Sequence, residues 1–227
     1  MNDDVYGIKK WGNDILEILE NGNIGLKNPF HPDNSPADLI KIIKSLNERG
    51  ISCPVLLRVT DYLAFRIKQI NNSFFRAIRE IRYKGEYKGV FPVKVNQQAQ
   101  VIDRIVEFGK EFDFGLEVGS KPELLIALAH DLSANSTIIC NGIKDREFIH
   151  LAILSIKIGF KTILVLESPR ELDLIIKISK ELNVRPLLGI RVKLTNKVSG
   201  NWSQSSGDRS AFGLSVEQVM EVINKLK

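Results

Sequence analysis

Gly89-Val-Phe-Pro-Val-Lys-Val-Asn-Gln-Gln98 is the stretch whose reading decides the fold. Apolar, strand-forming residues lead into a single lysine, Lys94, and a cluster of side-chain amides follows at once. An ammonium group at the end of a buried strand is costly unless something uses it. The carboxyl end of a barrel strand is where such folds keep their chemistry. A lysine placed there can lose its proton, attack an aldehyde and hold it as a Schiff base. The competing reading is a lysine that snorkels from a strand end into water and does nothing further. These residues alone do not separate the two.

Working outward, the chain alternates strand and helix from residue 54 onward. Pro54 to Val59 is a short apolar run, and Thr60 caps a helical stretch to about Arg82. Strands are predicted at 89–95, 112–117, 137–140, 162–166 and 185–194. Helices are predicted between and after them, at 98–110, 121–131, 146–158, 169–182 and 216–227. The periods support this: short β-branched runs alternate with apolar residues spaced i, i+3, i+4. Ser120-Lys-Pro-Glu123, Ser168-Pro-Arg-Glu171 and Ser215-Val-Glu-Gln218 each read as a capping box, and Asp145 as an N-cap. Repeated βα units with short joints predict a parallel sheet with crossover helices. Their even spacing suits a (β/α)8 barrel of the TIM type better than an open sheet, without removing the open sheet. Five strands would belong to such a barrel, ending near Lys94, Glu117, Cys140, Leu166 and Leu194, where a closed barrel has eight. The expectation is the amino-terminal piece of a longer enzyme.

Residues 1–53 read differently, as an N-terminal extension to the partial barrel at 54–227. Asn21-Gly-Asn-Ile-Gly25 is a hairpin signal, Asn28 to Asn34 a loop, and Ser35 to Arg49 an amphipathic helix. Thr195 to Arg209 is a long polar loop of the kind that is usually functional or mobile.

With 227 residues, 44% apolar and 26% charged, the composition is that of a globular domain with a real core. No apolar run reaches the roughly 18 residues of a membrane span, and Met1 to Val5 does not open a secretory signal. The net charge of +5 is spread among acids, with no basic block and interleaved aromatics. A nucleic-acid partner would therefore rest on the isoelectric point alone. Cys53 and Cys140 read as reduced, buried thiols of a cytosolic protein, and His31, His130 and His150 show no metal-ligand spacing.

Taken together, several segments carry a family resemblance. They are Tyr6-Gly-Ile-Lys-Lys-Trp-Gly12, Pro54 to Arg58, Tyr87 to Gln98, Gly115-Leu-Glu-Val-Gly-Ser-Lys-Pro-Glu-Leu124, Ile139-Cys-Asn-Gly-Ile-Lys-Asp145, Gly189 to Lys193, Ser199-Gly-Asn-Trp202 and Ser206 to Ser215. In these the chain resembles the biosynthetic arginine decarboxylases, pyridoxal phosphate (PLP)-dependent members of the alanine racemase-like, ornithine decarboxylase-like barrel family. The resemblance implies an incomplete barrel of that class, with Lys94 as the lysine that holds PLP. It implies that Arg191, on the fifth barrel strand, approaches the cofactor's phenolic oxygen, where a fixed guanidinium would keep that oxygen anionic. Against this stands a salt-bridged strand arginine. It implies an acid near the cofactor at Glu117, against which stands a plain helix-entry acid. Asn141 and Lys144 are taken as loop-shaping. Ala211 stands where the family usually has lysine.

In the family, a stacked histidine, a glycine-rich phosphate loop, a glutamate facing the pyridine nitrogen and dimer-interface residues come from later strands, and none of these is expected within 227 residues. The implied activity of the parent enzyme is decarboxylation of L-arginine to agmatine and CO2, a step toward polyamines such as spermidine. It implies Mg2+ dependence, a homo-oligomer in the cytoplasm, and neither nucleic acid nor membrane as partner. A PLP barrel acting on another basic amino acid, and an inert, poorly soluble fragment that binds PLP weakly, are the alternatives.

Overall fold

The computed structural model describes residues 5–193 and 212–227, so the polar stretch Thr195 to Arg209 and the family departure at Ala211 lie outside the described residues. By internal contacts the chain divides into two compact units, Met1–Ile70 and Asn71–Lys227.

The first unit holds a short helix α1 (Ile8–Trp11), an antiparallel sheet of β1 (Leu16–Ile18), β2 (Ile24–Leu26) and β3 (Ala37–Asp38), and helix α2 (Leu39–Glu48). The hairpin falls where Asn21-Gly22 predicts it, with Gly22 at φ 81° in the turn. The predicted helix from Ser35 begins only at Leu39, because Ala37 and Asp38 pair with β2 before Asp38 caps α2. The apolar run Pro54 to Val59 joins no sheet among the described residues, and Leu56 is 73% exposed. Helix α3 (Thr60–Glu80) runs through the division between the units.

The second unit is the βα alternation expected: β4 (Val90–Pro92), α4 (Ala99–Gly109), β5 (Gly115–Val118), α5 (Lys121–Leu128), β6 (Thr137–Cys140), α6 (Arg146–Lys157), β7 (Lys161–Leu166), α7 (Pro169–Leu182), β8 (Leu187–Ile190) and α8 (Val216–Leu226). The five strands β4 to β8 form one parallel sheet in chain order, a partial (β/α) barrel. Pro92, Glu117, Ile139, Ile163 and Leu187 lie side by side across it.

Strand alternation divides the sheet into two faces. Leu116 and Val118, Ile138 and Cys140, Leu164 and Leu166 are fully buried in one core with the helices. Ile102 of α4, Leu124 of α5, Ile149 and Ile153 of α6, and Leu172, Ile175 and Ile178 of α7 complete it. Each fully buried Leu or Ile contributes about 1.5–3 kcal/mol. The opposite face carries Glu117, Ile139, Ile163 and Val165. No helix among the described residues is long and apolar enough to cross a membrane.

Three strands are shorter than predicted, among them β8, which spans only Leu187–Ile190 of the expected 185–194. β4 stops at Pro92, whose ring nitrogen donates no ladder hydrogen bond, and Val93–Val95 then coils into a single 3-10 turn. β5 starts at Gly115 rather than Phe112, after a turn in which Asp113 sits at φ 51° and is held by Lys88 and Ser133. A Cβ at 115 would lie 2.0 Å from the Thr137 carbonyl oxygen, so only glycine lets β5 and β6 approach there.

Candidate active site

The carboxyl ends of the five strands carry Lys94, Glu117, Asn141, Lys144 and Arg191. Lys94 occupies the turn directly after β4. It is exposed, and among the described residues its Nζ has no hydrogen-bond or ion-pair partner. Glu117 lies on the neighbouring strand, opposite Pro92, and is 7% exposed. Its Oε1 accepts a hydrogen bond from Asn141 Nδ2 at 3.0 Å. Arg191 follows β8 at the other margin of the sheet, half exposed. Its Nη1 donates to Glu167 Oε1 at 3.0 Å, and its guanidinium carbon stands 5.1 Å from the centre of the Phe212 ring. Lys94 is therefore unengaged, whereas Glu117 and Arg191 are each held by a neighbour from the adjoining strand end.

Those neighbours form a continuous stitching of strand ends. Asn141 joins β6 to β5 through Glu117. Glu167, just past β7, accepts from the Gly142 amide and from Arg191, both at 3.0 Å, and from the Gly213 amide at 3.0 Å. Glu171, in the first turn of α7, accepts from the Lys144 and Glu167 amides, each at 2.8 Å. The Lys144 Nζ is buried and donates to the Gly142 and Val165 carbonyls, both at 2.6 Å, beside Glu171 at 3.3 Å. Two protons of that ammonium go to carbonyls and its charge is paired with Glu171, so Lys144 shapes the loops. Sequence reasoning missed Glu167 and Glu171. The available signal was positional: Glu117, Asn141 and Glu167 are each the polar residue that ends, or directly follows, an apolar strand.

Of the two cysteines expected to be buried, Cys140 is and Cys53 is exposed; Cys140 and His130 are closed to chemistry. Burial pushes the Cys140 thiol up to about 12, with Glu117 adding to the shift and Lys144 opposing it. It stays protonated and is no nucleophile. His130 is bound to the Ile126 carbonyl at 2.7 Å and to Asp103 at 3.0 Å. Among the described residues no group of three or more His, Cys, Asp or Glu could hold a metal ion.

An amine with no partner among the described residues, a shielded carboxylate and a guanidinium stand at one end of a parallel (β/α) sheet, groups whose chemistry suits an aldehyde-bearing anion. The donor set fits PLP at its aldehyde and ring. The family described as "Pyridoxal-dependent decarboxylase, pyridoxal binding domain" matches residues 67–227, and the chain belongs to it. Over 222 residues it is 47% identical to a biosynthetic arginine decarboxylase of Prochlorococcus marinus (strain MIT 9312). Over 224 residues it is 45% identical to that of Gloeobacter violaceus. These matches cover 98% and 99% of this chain but 34% and 35% of the relatives, so the chain spans about a third of their length. The crystal structure of the biosynthetic arginine decarboxylase SpeA from Campylobacter jejuni superposes with a TM-score of 0.83 at 34% identity, over 98% of this chain and 34% of that one. Diaminopimelate decarboxylase from M. jannaschii shares the fold, at a TM-score of 0.68 and 21% identity, over 94% of this chain and 44% of its own.

Proposed function

We propose that this chain carries the cofactor lysine of a PLP-dependent enzyme that decarboxylates L-arginine to agmatine and CO2, with Lys94 as its anchor. The observation that carries the reading is an exposed, unpartnered Lys94 at the carboxyl end of β4, in a chain 47% identical to a biosynthetic arginine decarboxylase. PLP, when bound, supplies the electron sink that makes loss of CO2 from an amino acid feasible. Everything else falls to the chain's own residues. Lys94 Nζ would hold the cofactor by condensing with its aldehyde, the carbonyl oxygen leaving as water, and, when displaced by the substrate amine, would be the amine placed to carry a proton. Arg191 presents its guanidinium to an anionic oxygen. Glu117, fixed by Asn141, places a carboxylate three strands away from Arg191 on the same face.

The wider assignment follows the same reading: a polyamine-precursor step in the cytoplasm by a Mg2+-dependent homo-oligomer, with neither nucleic acid nor membrane as partner. Residues 1–53 would be an extension to a barrel that starts at 54. The test has two parts. Purified chain is mixed with PLP, its visible band recorded, and the adduct reduced with borohydride and mapped. Label on Lys94, lost in Lys94→Ala, is expected; label scattered over surface lysines would overturn the anchor. Deleting the gene should abolish cellular agmatine formation from arginine, and the Lys94→Ala gene should not restore it. Agmatine formation unchanged by the deletion would remove arginine as substrate.

A further inference from the structure

Glu167 is wholly buried, and its partner Arg191 is half exposed. A carboxylate taken out of water is costly unless donors meet it. Two of its three donors among the described residues are backbone amides of glycines in constrained backbone. Gly142 sits at φ 74°, and a Cβ there would press the Gly119 carbonyl oxygen at 3.0 Å. Gly213 sits at φ 85°, and a Cβ there would meet the Arg191 carbonyl oxygen at 3.0 Å and Cγ at 3.3 Å. Both positions are the left-handed backbone that glycine adopts freely. The backbone of Glu167 is pinned as well, its own amide donating to Glu171 Oε2 at 2.8 Å. The main chain around Arg191 is closed from its far side, since Leu214 donates to the Arg191 carbonyl at 2.7 Å and accepts from the Lys193 amide at 2.8 Å. Among the described residues the one long, rotatable partner in this frame is the Arg191 side chain.

We infer that Glu167 is a positioning residue: its buried carboxylate, clamped by the Gly142 and Gly213 amides, holds the Arg191 guanidinium in place at the carboxyl end of β8. This rests on the reading of Arg191 as a cofactor contact. The order of control runs from the rigid acid to the mobile base. Two amides already satisfy a buried carboxylate in part, and the third contact goes to a cation with half its surface in solvent. That cation gains direction from the contact: one nitrogen is committed to Glu167, one face lies toward Phe212, and the remaining donors have no partner among the described residues. Because Gly142 adjoins Asn141, the same carboxylate also ties Arg191 to the strand end that holds Glu117.

The decisive experiment needs no cofactor. In 15N-arginine-labelled chain, one guanidinium should give narrow, slowly exchanging resonances, assigned by their loss in Arg191→Lys. Glu167→Gln should average them to the behaviour of an exposed arginine such as Arg185, while far-UV circular dichroism is retained. Should Glu167→Gln not fold, Glu167→Asp, which draws the carboxylate back by one methylene, is read in the same way. Wild-type chain in which Arg191 already averages like Arg185, or a variant in which it stays narrow, overturns the inference. PLP capture then gives the functional arm. Arg191→Ala and Glu167→Gln should each weaken it about tenfold, the scale of one charge-assisted hydrogen bond. The double variant should lose no more than either single one, and losses that multiply would make Glu167 merely structural. If the chain captures no PLP at Lys94, the proposed function fails, while the arginine resonances still decide the role of Glu167.

Discussion

Two lysines at the same end of the sheet have opposite surroundings, and the contrast separates framework from chemistry. Lys94 has its ammonium in solvent with no partner among the described residues. Lys144 is buried, donating to two carbonyls at 2.6 Å and paired in charge with Glu171 at 3.3 Å. Removing one partner of a buried ion pair leaves the other charge stranded, at a cost of about 3–5 kcal/mol. Lys144→Met should therefore lower the free energy of unfolding by about that much in a urea titration. Lys94→Ala touches no such network, and an exposed substitution of this kind stays within about 0.5 kcal/mol. A Lys144→Met variant as stable as wild type would mean that the loops after β6 and β7 do not depend on this ammonium.

At the scale of elements, the joints between strand and helix decide most of the local structure. Asp38 is one such joint, capping α2 through the Ile40 and Lys41 amides while accepting from Asn21 and Asn23. The Asn23 amide foremost, with Asn21 and the two backbone amides, holds its carboxyl down at about 2 from the usual 3.8. A depressed carboxyl contributes stability above its unfolded value and loses it as pH falls toward the folded one. The amides around Asp38 should hence loosen between about pH 4 and pH 2, read by amide exchange, and Asp38→Asn should flatten that dependence. A wild-type profile flat across this window would contradict the cap's role. Such joints also show how far the sequence could be read. All three serines at 120, 168 and 215 cap helices as expected, but only Ser215 with Gln218 closes the reciprocal box. Glu123 turns instead to the Gly119 amide, and Glu171 to Lys144 and Glu167. The five strands and their helices were legible because hydrophobic period is local information. Lys94, Glu117 and Arg191 were legible by resemblance and by their places at strand ends. Glu167 was not, because its partners lie 24, 25 and 46 residues away and meet only through the register of the sheet. β3 was hidden for a similar reason: two residues without a β-branched run become a strand only because β2 lies alongside.

On the scale of the whole molecule, the described sheet is one-sided. Its helix-facing residues are buried, while Ile139, Ile163 and Val165 on the other face are only partly covered and Leu187 at the margin is 52% exposed. β4 pairs only with β5, and β8 pairs with β7 and, beyond the strand, with Leu214 at a single bridge. Exposed strand edges and adjoining apolar surface are the features that natural proteins cover or charge to prevent edge-to-edge pairing. The 227-residue chain on its own should accordingly self-associate as its concentration rises, with sedimentation velocity showing a growing share of species above 25.6 kDa. Leu187→Lys tests the cause. It puts a charge on the β8 margin without touching the buried core, and gatekeeping charges at such positions discourage pairing. The variant should remain monomeric at concentrations where wild type associates, with unchanged circular dichroism. If wild type is a stable monomer over the same range, the partly covered face is not an adhesive surface. If instead both proteins associate alike, the contact lies away from the β8 margin, and charges on the opposite margin at β4 become the next discriminating change.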